Sequence, residues 1–597
     1  MEESTSFEDD TQGWPLRPAL LALIGALAAL AVHQVSGSGW VLLSAFHTAA
    51  WRIALTSAIT AGALTLGFTL ERRRRWWAAT FGVGVGVIAG LIVYWNGWGA
   101  GAWWSWPNAS LYLAIAIAVP LFQTVRDQGA WRFPYADVHG DAWTNAVLWG
   151  ACWLFTGVTF ALAWLLADLF YLIGLHALRD LLQHGWFSAL VFGTSFGGAL
   201  GLLRERDGVV RQLQRVVTAV LGVLAPVLGV ALAVFLLSLP FTGLDALWEA
   251  TKSTTPTLLG CVLGALLLAN AVIGNGETDE ASNPVLRLGA LALALAVLPL
   301  AVIAAIATGL RIGQYGLTPD RLWALVFVTF ACAYGLAYLV AVVRGRTAWA
   351  DYVRPSNVRL ALIVAGAGLL LATPIASFNA LSSADQVARL ESGRVAPAKF
   401  DWTALAFDFG DPGKAALRRL AQSRTPAIAS RAREISTKTS RWDITRVDRT
   451  QSEADLLVKR LRVLPAQVPV PLALRTVLTD WRGCSTDRNT QCLLLYTPGA
   501  NEAVSLSHSC IDDLTRAQRP PRGAVAPVIV PRSSCGASRY RRTGESWARV
   551  EDNASGVLSA AERAALTAGA ADGKVEIRAV PARRVFVGGV PVGDPFE

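Results

Sequence analysis

The chain has 597 residues, 53% hydrophobic and only 16% charged, with a formal net charge of +10. Its mean hydropathy of +0.42 averages two unlike halves, an apolar one up to Asn379 and a polar, Arg-rich one after it. Residues 1–379 carry 21 Lys+Arg against 20 Asp+Glu, and residues 380–597 carry 32 against 23, so most of the basic excess lies in the tail. The charges are scattered and no RNA- or DNA-binding signature accompanies them, so nucleic acid is not an expected partner. Membrane lipids are, with an anionic lipid or an envelope polymer as the candidate for the basic part.

In chain order, residues 1–15 form an acidic cytoplasmic tail (Glu2, Glu3, Glu8, Asp9, Asp10). The apolar run after it is too long for a signal-peptide core and lacks a small-x-small exit. Eleven apolar runs follow: 16–35, 53–70, 78–95, 110–125, 146–166, 186–203, 216–239, 258–273, 288–310, 322–343 and 360–378. The last, 19 residues at about 1.5 Å each, spans roughly 28 Å, a bilayer core. Trp40–Trp51 has the composition of an interfacial or re-entrant piece, and Leu169–Gln183 that of an extension of the fifth run. The count of spans therefore lies between 10 and 12.

Orientation follows from the basic residues. With the N-terminus inside, the inner segments hold 16 arginines, including Arg72–Arg75, Arg344, Arg346, Arg354 and Arg359. The outer loops hold 5 basic residues: Arg52, Arg179, Lys252, Arg311 and Arg321. Positive-inside then places the tail outside. The expected architecture is a polytopic α-helical membrane bundle over 16–379, followed over 380–597 by an α+β soluble extracytoplasmic domain, periplasmic in a bacterium.

Gly82, Gly84, Gly86 and Gly90, then Gly193, Gly197, Gly198 and Gly201, give helices small faces. Close helix packing explains them, because small residues let backbones approach where no hydrophobic effect drives association. Broken helices around a transport site are the alternative.

In the tail, Asp411-Pro412 reads as the opening of a helix through Leu420. Ser559 with Glu562 reads as a capping box. Residues 492–496 and 503–506 read as a hairpin, and 575–577 and 585–587 as short strands. Cys152, Cys261 and Cys332 lie in apolar runs, whereas Cys484, Cys492, Cys510 and Cys535 are all in the tail. An even number there suggests two disulfides and an oxidising compartment. Cys484–Cys492 with Cys510–Cys535 is the provisional pairing, but the hairpin could bring Cys492 opposite Cys510. A zinc site competes poorly, since no C-x-x-C occurs.

Signals for chemistry are sparse. Asp137, His139 and Asp141 have metal-like spacing, but a single histidine in a solvated loop is the simpler reading, and no metal or other cofactor is expected. No Ser/His/Asp order stands out and no residue is assigned a catalytic role, so an enzyme is the weaker expectation. Asp168 reads as a wet carboxylate at the outer interface rather than part of an ion pathway. Asn270 reads as an interhelical hydrogen-bonder. In the outer loop RIGQYGLTPDR, Thr318 caps, Pro319 and Asp320 open the next helix, and Gly316 supplies a turn. Capping needs neither Arg311, Tyr315 nor Arg321, which makes them, with Asp320, candidates to bind an anionic headgroup or dock the exported domain.

YADVHGDAWTNAVLWGACWLFTGVTFALAWLLADLFYLIGL, then RIGQYGLTPDRLWAL and ADQVARLESGRVAPAKFDWTALAFDFG, resemble the bacterial inner-membrane family catalogued as domain of unknown function 4153. The resemblance covers most of residues 130–410, with YGLTPDR its most specific part. Tyr135, Trp143, Asn145, Trp164, Phe170, Gly174, Arg311, Tyr315, Gly316, Pro319 and Arg321 fall on its recurrent positions. It implies a multi-pass inner-membrane protein and supplies no catalytic residues. The expected function is a non-enzymatic envelope protein binding a lipid or envelope component, with a secondary transporter or channel as the alternative.

Overall fold

In the computed structural model of the chain, the described residues are 14–36, 50–96, 105–243, 254–277, 279–441, 457–458, 461–464, 468–479, 492–506, 537–550, 564–565, 568, 572, 583–587 and 590–596. Two units separate, Met1–Ala396 and Pro397–Glu597.

The first unit is helical. Its elements are α1 Arg17–Ser36, α2 Ala50–Thr69, α3 Arg75–Asn96, α4 Trp106–Gln128, α5 Tyr135–Leu172, α6 Ala177–Gln183 and α7 Gly185–Arg204. There follow α8 Asp207–Thr242, α9 Thr254–Ile273, α10 Pro284–Tyr315, α11 Pro319–Gly345, α12 Trp349–Ala372 and α13 Phe378–Glu391. Among the described residues, nine stretches are long and apolar enough to cross a membrane. One of the nine, Pro319–Ala372, holds both α11 and α12 around a tight turn, and α2 stands outside the set.

Two segments that lie between apolar runs, the first expected as a solvated loop, are helical. Tyr135–Asp141 forms the first turns of α5, with Pro134 at its N-cap, and Trp349–Arg359 forms the first half of α12 despite Pro355 inside it. Several of their polar side chains, among them His139, Arg354 and Asn357, bond to neighbouring elements, so the helices continue past the apolar runs. Correspondingly, α5 is 38 residues long, about 57 Å at 1.5 Å per residue. The last apolar run ends early, at Ala372, where Thr373 is extended and Pro374 follows.

Glycine faces pack against backbone. Gly25 of α1 lies against Gly193 of α7, and a Cβ on Gly86 of α3 would stand 2.7 Å from the Ala58 carbonyl oxygen of α2. Gly289 of α10 sits on Pro226 of α8 in the same way, as close helix packing requires. One hydrophobic cluster gathers Leu21, Phe68, Val119, Leu148, Phe196 and Leu200. A second surrounds α10, whose Leu293, Val297 and Leu300 are fully buried among α8, α9, α11 and α12. Gly368 of α12 packs on the Ser110 carbonyl of α4, and Asn96 Nδ2 donates to the Ala372 carbonyl at 3.0 Å.

The second unit is α+β. A π-helical turn Ala404–Asp408 precedes α14 Gly410–Leu420 and α15 Pro426–Ser436. Then come β1 Leu461–Leu464, α16 Leu472–Leu478, β2 Cys492–Leu495, β3 Glu502–Leu506, β4 Ala537–Thr543 and β5 Ser546–Val550. β6 Arg583–Val587 and β7 Val590–Phe596 form a separate two-stranded ladder. The five-stranded sheet has order β1-β2-β3-β4-β5, with β1 parallel to β2 and the other pairs antiparallel. The parallel pair needs a crossover, and α16 lies on it. Its core holds Leu461, Val463, Leu474, Leu478, Leu494, Tyr540 and Trp547. The β2–β3 hairpin, the helix opened near Asp411-Pro412 and the strand at 585–587 are where the residues place them. The capping box at Ser559 and the strand at 575–577 lie outside the described residues.

Candidate functional site

The turn between α10 and α11 is built on Gly316, whose φ of +78° and ψ of −175° suit glycine almost alone. Its N–H donates to the Ile312 carbonyl at 2.8 Å and closes α10. Thr318 is extended and caps α11, its side chain accepting from Arg321 N at 3.4 Å, with Pro319 next. Arg321 then folds back, donating through Nη1 to the Gly316 carbonyl at 2.7 Å, with its guanidinium 5.4 Å from the Tyr315 ring centroid. Asp320 accepts from Trp106 Nε1 at 3.3 Å, and that indole packs on Phe327 with centroids 5.1 Å apart.

Helix α13 docks on this turn. Ser377 caps it, its side chain accepting from Ala380 N at 3.2 Å. About two turns later Asp385 Oδ2 accepts from Leu317 N at 2.7 Å, and Gln386 Nε2 donates to the Tyr315 and Leu317 carbonyls, both at 2.9 Å. Arg389 donates to the Gln314 carbonyl at 2.9 Å. A helix end leaves its last carbonyls without intrahelical partners, and here α13 side chains serve those of α10. Phe378 adds an edge contact to Trp323 at 5.1 Å.

Four of the candidate residues, Arg311, Tyr315, Asp320 and Arg321, thus share one turn. Arg389 donates to the Gln314 carbonyl beside them and Arg311 is one helical turn before Tyr315, so three arginines and the Asp320 carboxylate belong to this turn. Asp168 does not join them. Its carboxylate is 64% exposed at the end of α5 and faces Arg179 of α6 at 3.9 Å. Asp385, Gln386 and Arg389 were not singled out from the sequence. Their signal is a short amphipathic helix directly after the last apolar run, behind a serine cap, which reads equally as the start of a separate domain.

Asn270 bonds between helices as expected, and more widely. Its Nδ2 donates to the Leu266 carbonyl at 2.7 Å and to the Tyr338 hydroxyl at 2.8 Å, while its Oδ1 accepts from Asn357 Nδ2 at 2.7 Å. Nearby, Trp143 Nε1 donates to His139 Nε2 at 3.1 Å, which leaves Nδ1 to carry the proton toward Asn275 Oδ1 at 2.7 Å. Both ring nitrogens of His139 are therefore engaged. Among the described residues no three His, Cys, Asp or Glu are grouped to hold a metal ion.

A third polar assembly fastens helix ends. Glu71 bridges Arg17 and Arg204, while Arg17 Nε also meets Glu205 at 3.1 Å. Arg204 donates to the Gly67 carbonyl at 2.7 Å and Arg126 to that of Thr69 at 2.5 Å, which serves the C-terminal carbonyls of α2.

Cys152 is a buried free thiol, and Cys261 and Cys332 are half-buried free thiols. Cys492 is buried at the start of β2. Cys484, Cys510 and Cys535 lie outside the described residues.

A family model described as Domain of unknown function (DUF4153) matches residues 19–420, more than half of the chain, and the chain belongs to that family. No curated protein and no solved structure matches it.

Proposed function

We propose that this DUF4153 chain is a non-enzymatic bacterial inner-membrane protein that binds an anionic lipid headgroup at the α10–α11 turn and carries its second unit in the periplasm. The observation that carries the reading is that Arg321 lies 5.4 Å from the centroid of an exposed Tyr315, with Arg389 on the adjacent Gln314 carbonyl and Arg311 one helical turn before Tyr315. Positive-inside disfavours arginines on an outer turn, so a local anionic partner rationalises them. The three are also well suited to a phosphate, since guanidinium donors form paired, charge-assisted bonds with its oxygens. In this topology eleven helices cross, α2 included, the N-terminus is inside, and the tail cysteines form two disulfides.

The transporter alternative needs Asp168, Asn270 and the glycine-rich helices to converge. Asp168 instead faces Arg179, Asn270 bonds uncharged partners, and Gly82, Gly86, Gly193 and Gly197 pack against backbone. Those contacts weigh against it.

The test is the double variant Arg311→Ala with Arg321→Ala. It should reach the membrane in normal amount, lose co-purifying anionic phospholipid, and become more sensitive to protease after Asn379. Unchanged lipid and an unchanged cleavage pattern would return the turn to a simple helix start. A phosphatase reporter fused after Ser382 should be active in the periplasm, and activity of only a cytoplasmic reporter there would overturn the topology.

A further inference from the structure

The Asn270 cluster contains a mismatch that its own hydrogen bonds define. Asn270 Nδ2 donates to the Leu266 carbonyl, which accepts only, so the orientation of that amide is set and Asn270 Oδ1 is an acceptor. Asn357 must then present its Nδ2 to that oxygen at 2.7 Å, because a flipped amide would set oxygen against oxygen. The consequence falls on the other end of Asn357. Its Oδ1 is buried and has no hydrogen-bond partner. A buried acceptor left unmet costs about 1–3 kcal/mol, and a polar cluster with one open acceptor is the setting in which internal water is found.

The surroundings fit that occupant. The phenols of Tyr135 and Tyr338 both meet the Asn270 amide that holds Asn357, Tyr135 Oη at 3.5 Å from Asn270 Oδ1 and Tyr338 Oη accepting from Asn270 Nδ2 at 2.8 Å. Tyr135 also approaches the Gly274 carbonyl at 3.4 Å, where α9 ends. Four helices, α5, α9, α11 and α12, each contribute one uncharged polar side chain. Arg354 is committed to Glu280 at 3.0 Å and to the Ile273 carbonyl at 2.9 Å, so it closes the cluster at its α9 end. With no carboxylate among the four, a metal cation would lack charge compensation, whereas water needs only two to four neutral partners.

We propose that Asn357, Tyr135, Tyr338 and Asn270 form a buried water site, in which a bound water donates to Asn357 Oδ1 and hydrates the helical bundle near the end of α9. The site stands apart from the α10–α11 turn and is independent of what that turn binds.

Radiolytic hydroxyl labelling of the full-length protein tests it, because radicals formed from bound water mark adjacent side chains even where bulk solvent does not reach. Two tyrosines, Tyr338 and Tyr540, are both 0% exposed, and the hydroxyl of Tyr540 already meets Ser505 Oγ at 3.2 Å. Tyr338 should be labelled several-fold faster than Tyr540. In Asn357→Leu its labelling should fall to the level of Tyr540. If that variant fails to fold, Tyr135→Phe should lower Tyr338 labelling while leaving Tyr540 unchanged. Equal, slow labelling of the two tyrosines in the wild-type protein overturns the proposal, as does undiminished labelling of Tyr338 in a folded Asn357→Leu.

Discussion

Arginines serve helix-end carbonyls in two regions of the helical unit, with a shared carboxylate in one and without it in the other. Around Glu71 the guanidinium groups of Arg17 and Arg204 are about nine-tenths buried and are consumed by a carboxylate and by helix-end carbonyls. At the α10–α11 turn, Arg321 makes one backbone bond and lies over a ring that is itself 63% exposed, with Arg311 and Arg389 close by. The first arrangement is a fastener, in which removing one partner strands the others away from water. The second leaves Arg311 exposed and Arg321 and Arg389 half-buried, each of the latter two serving a backbone carbonyl without a buried carboxylate between them. An arginine near a helix end is therefore diagnostic only once its burial and its carbonyl partners are known.

Breaking the buried fastener should have the largest effect. Glu71→Gln leaves two buried guanidinium groups without their shared counter-charge, and loss of one member of a buried pair costs about 3–5 kcal/mol. The detergent-solubilised protein should melt markedly lower, and an unchanged melting temperature would mean that the carbonyl bonds alone hold those helix ends.

Next comes Gly316→Ala. A non-glycine residue in this backbone region costs about 1–3 kcal/mol. The added Cβ would also stand 2.7 Å from Asp385 Oδ2 and from Gln386 Nε2. Protease should then cut between Thr373 and Ala396 faster while the apolar helices stay protected. If cleavage there is unaltered, α13 is not held by the turn.

Thr318→Ala removes only the cap of α11, worth about 1 kcal/mol. It should lower stability slightly and leave bound lipid unchanged, unlike the double arginine variant. Equal loss of lipid from both would reduce the two regions to one kind of arginine, both structural.

The smallest effect is expected for Asp168→Asn. An exposed pair such as Asp168 and Arg179 is worth about 0–1 kcal/mol, so stability should hardly move, and a large loss would give the α5–α6 corner a role the contacts do not suggest.

Much of this architecture is legible in the residues. Long apolar runs form helices because a helix satisfies its backbone within the one segment, away from water. The Gly316, Thr318 and Pro319 pattern specifies a turn and a cap because each residue's own backbone preference is local. The β2–β3 hairpin is local in the same sense, since its partner residues are close in sequence. Membership of the family, too, was visible in YGLTPDR and the stretches around it.

What only the tertiary structure decided is which polar residues are used up. Tyr135–Asp141 and Trp349–Arg359 carry charges that look like loop, yet they are helical because His139, Arg354 and Asn357 find partners on α9 and the segment after it. Asp385, Gln386 and Arg389 look like the start of another domain, yet they complete the end of a helix about 70 residues earlier in the chain. Asn357 Oδ1 is left without a partner by bonds that begin on α9. The reason is common to all three. Local preference sets backbone conformation within a few residues, but hydrogen-bond partners are shared among distant segments, and only the packed helices show where each donor and acceptor goes.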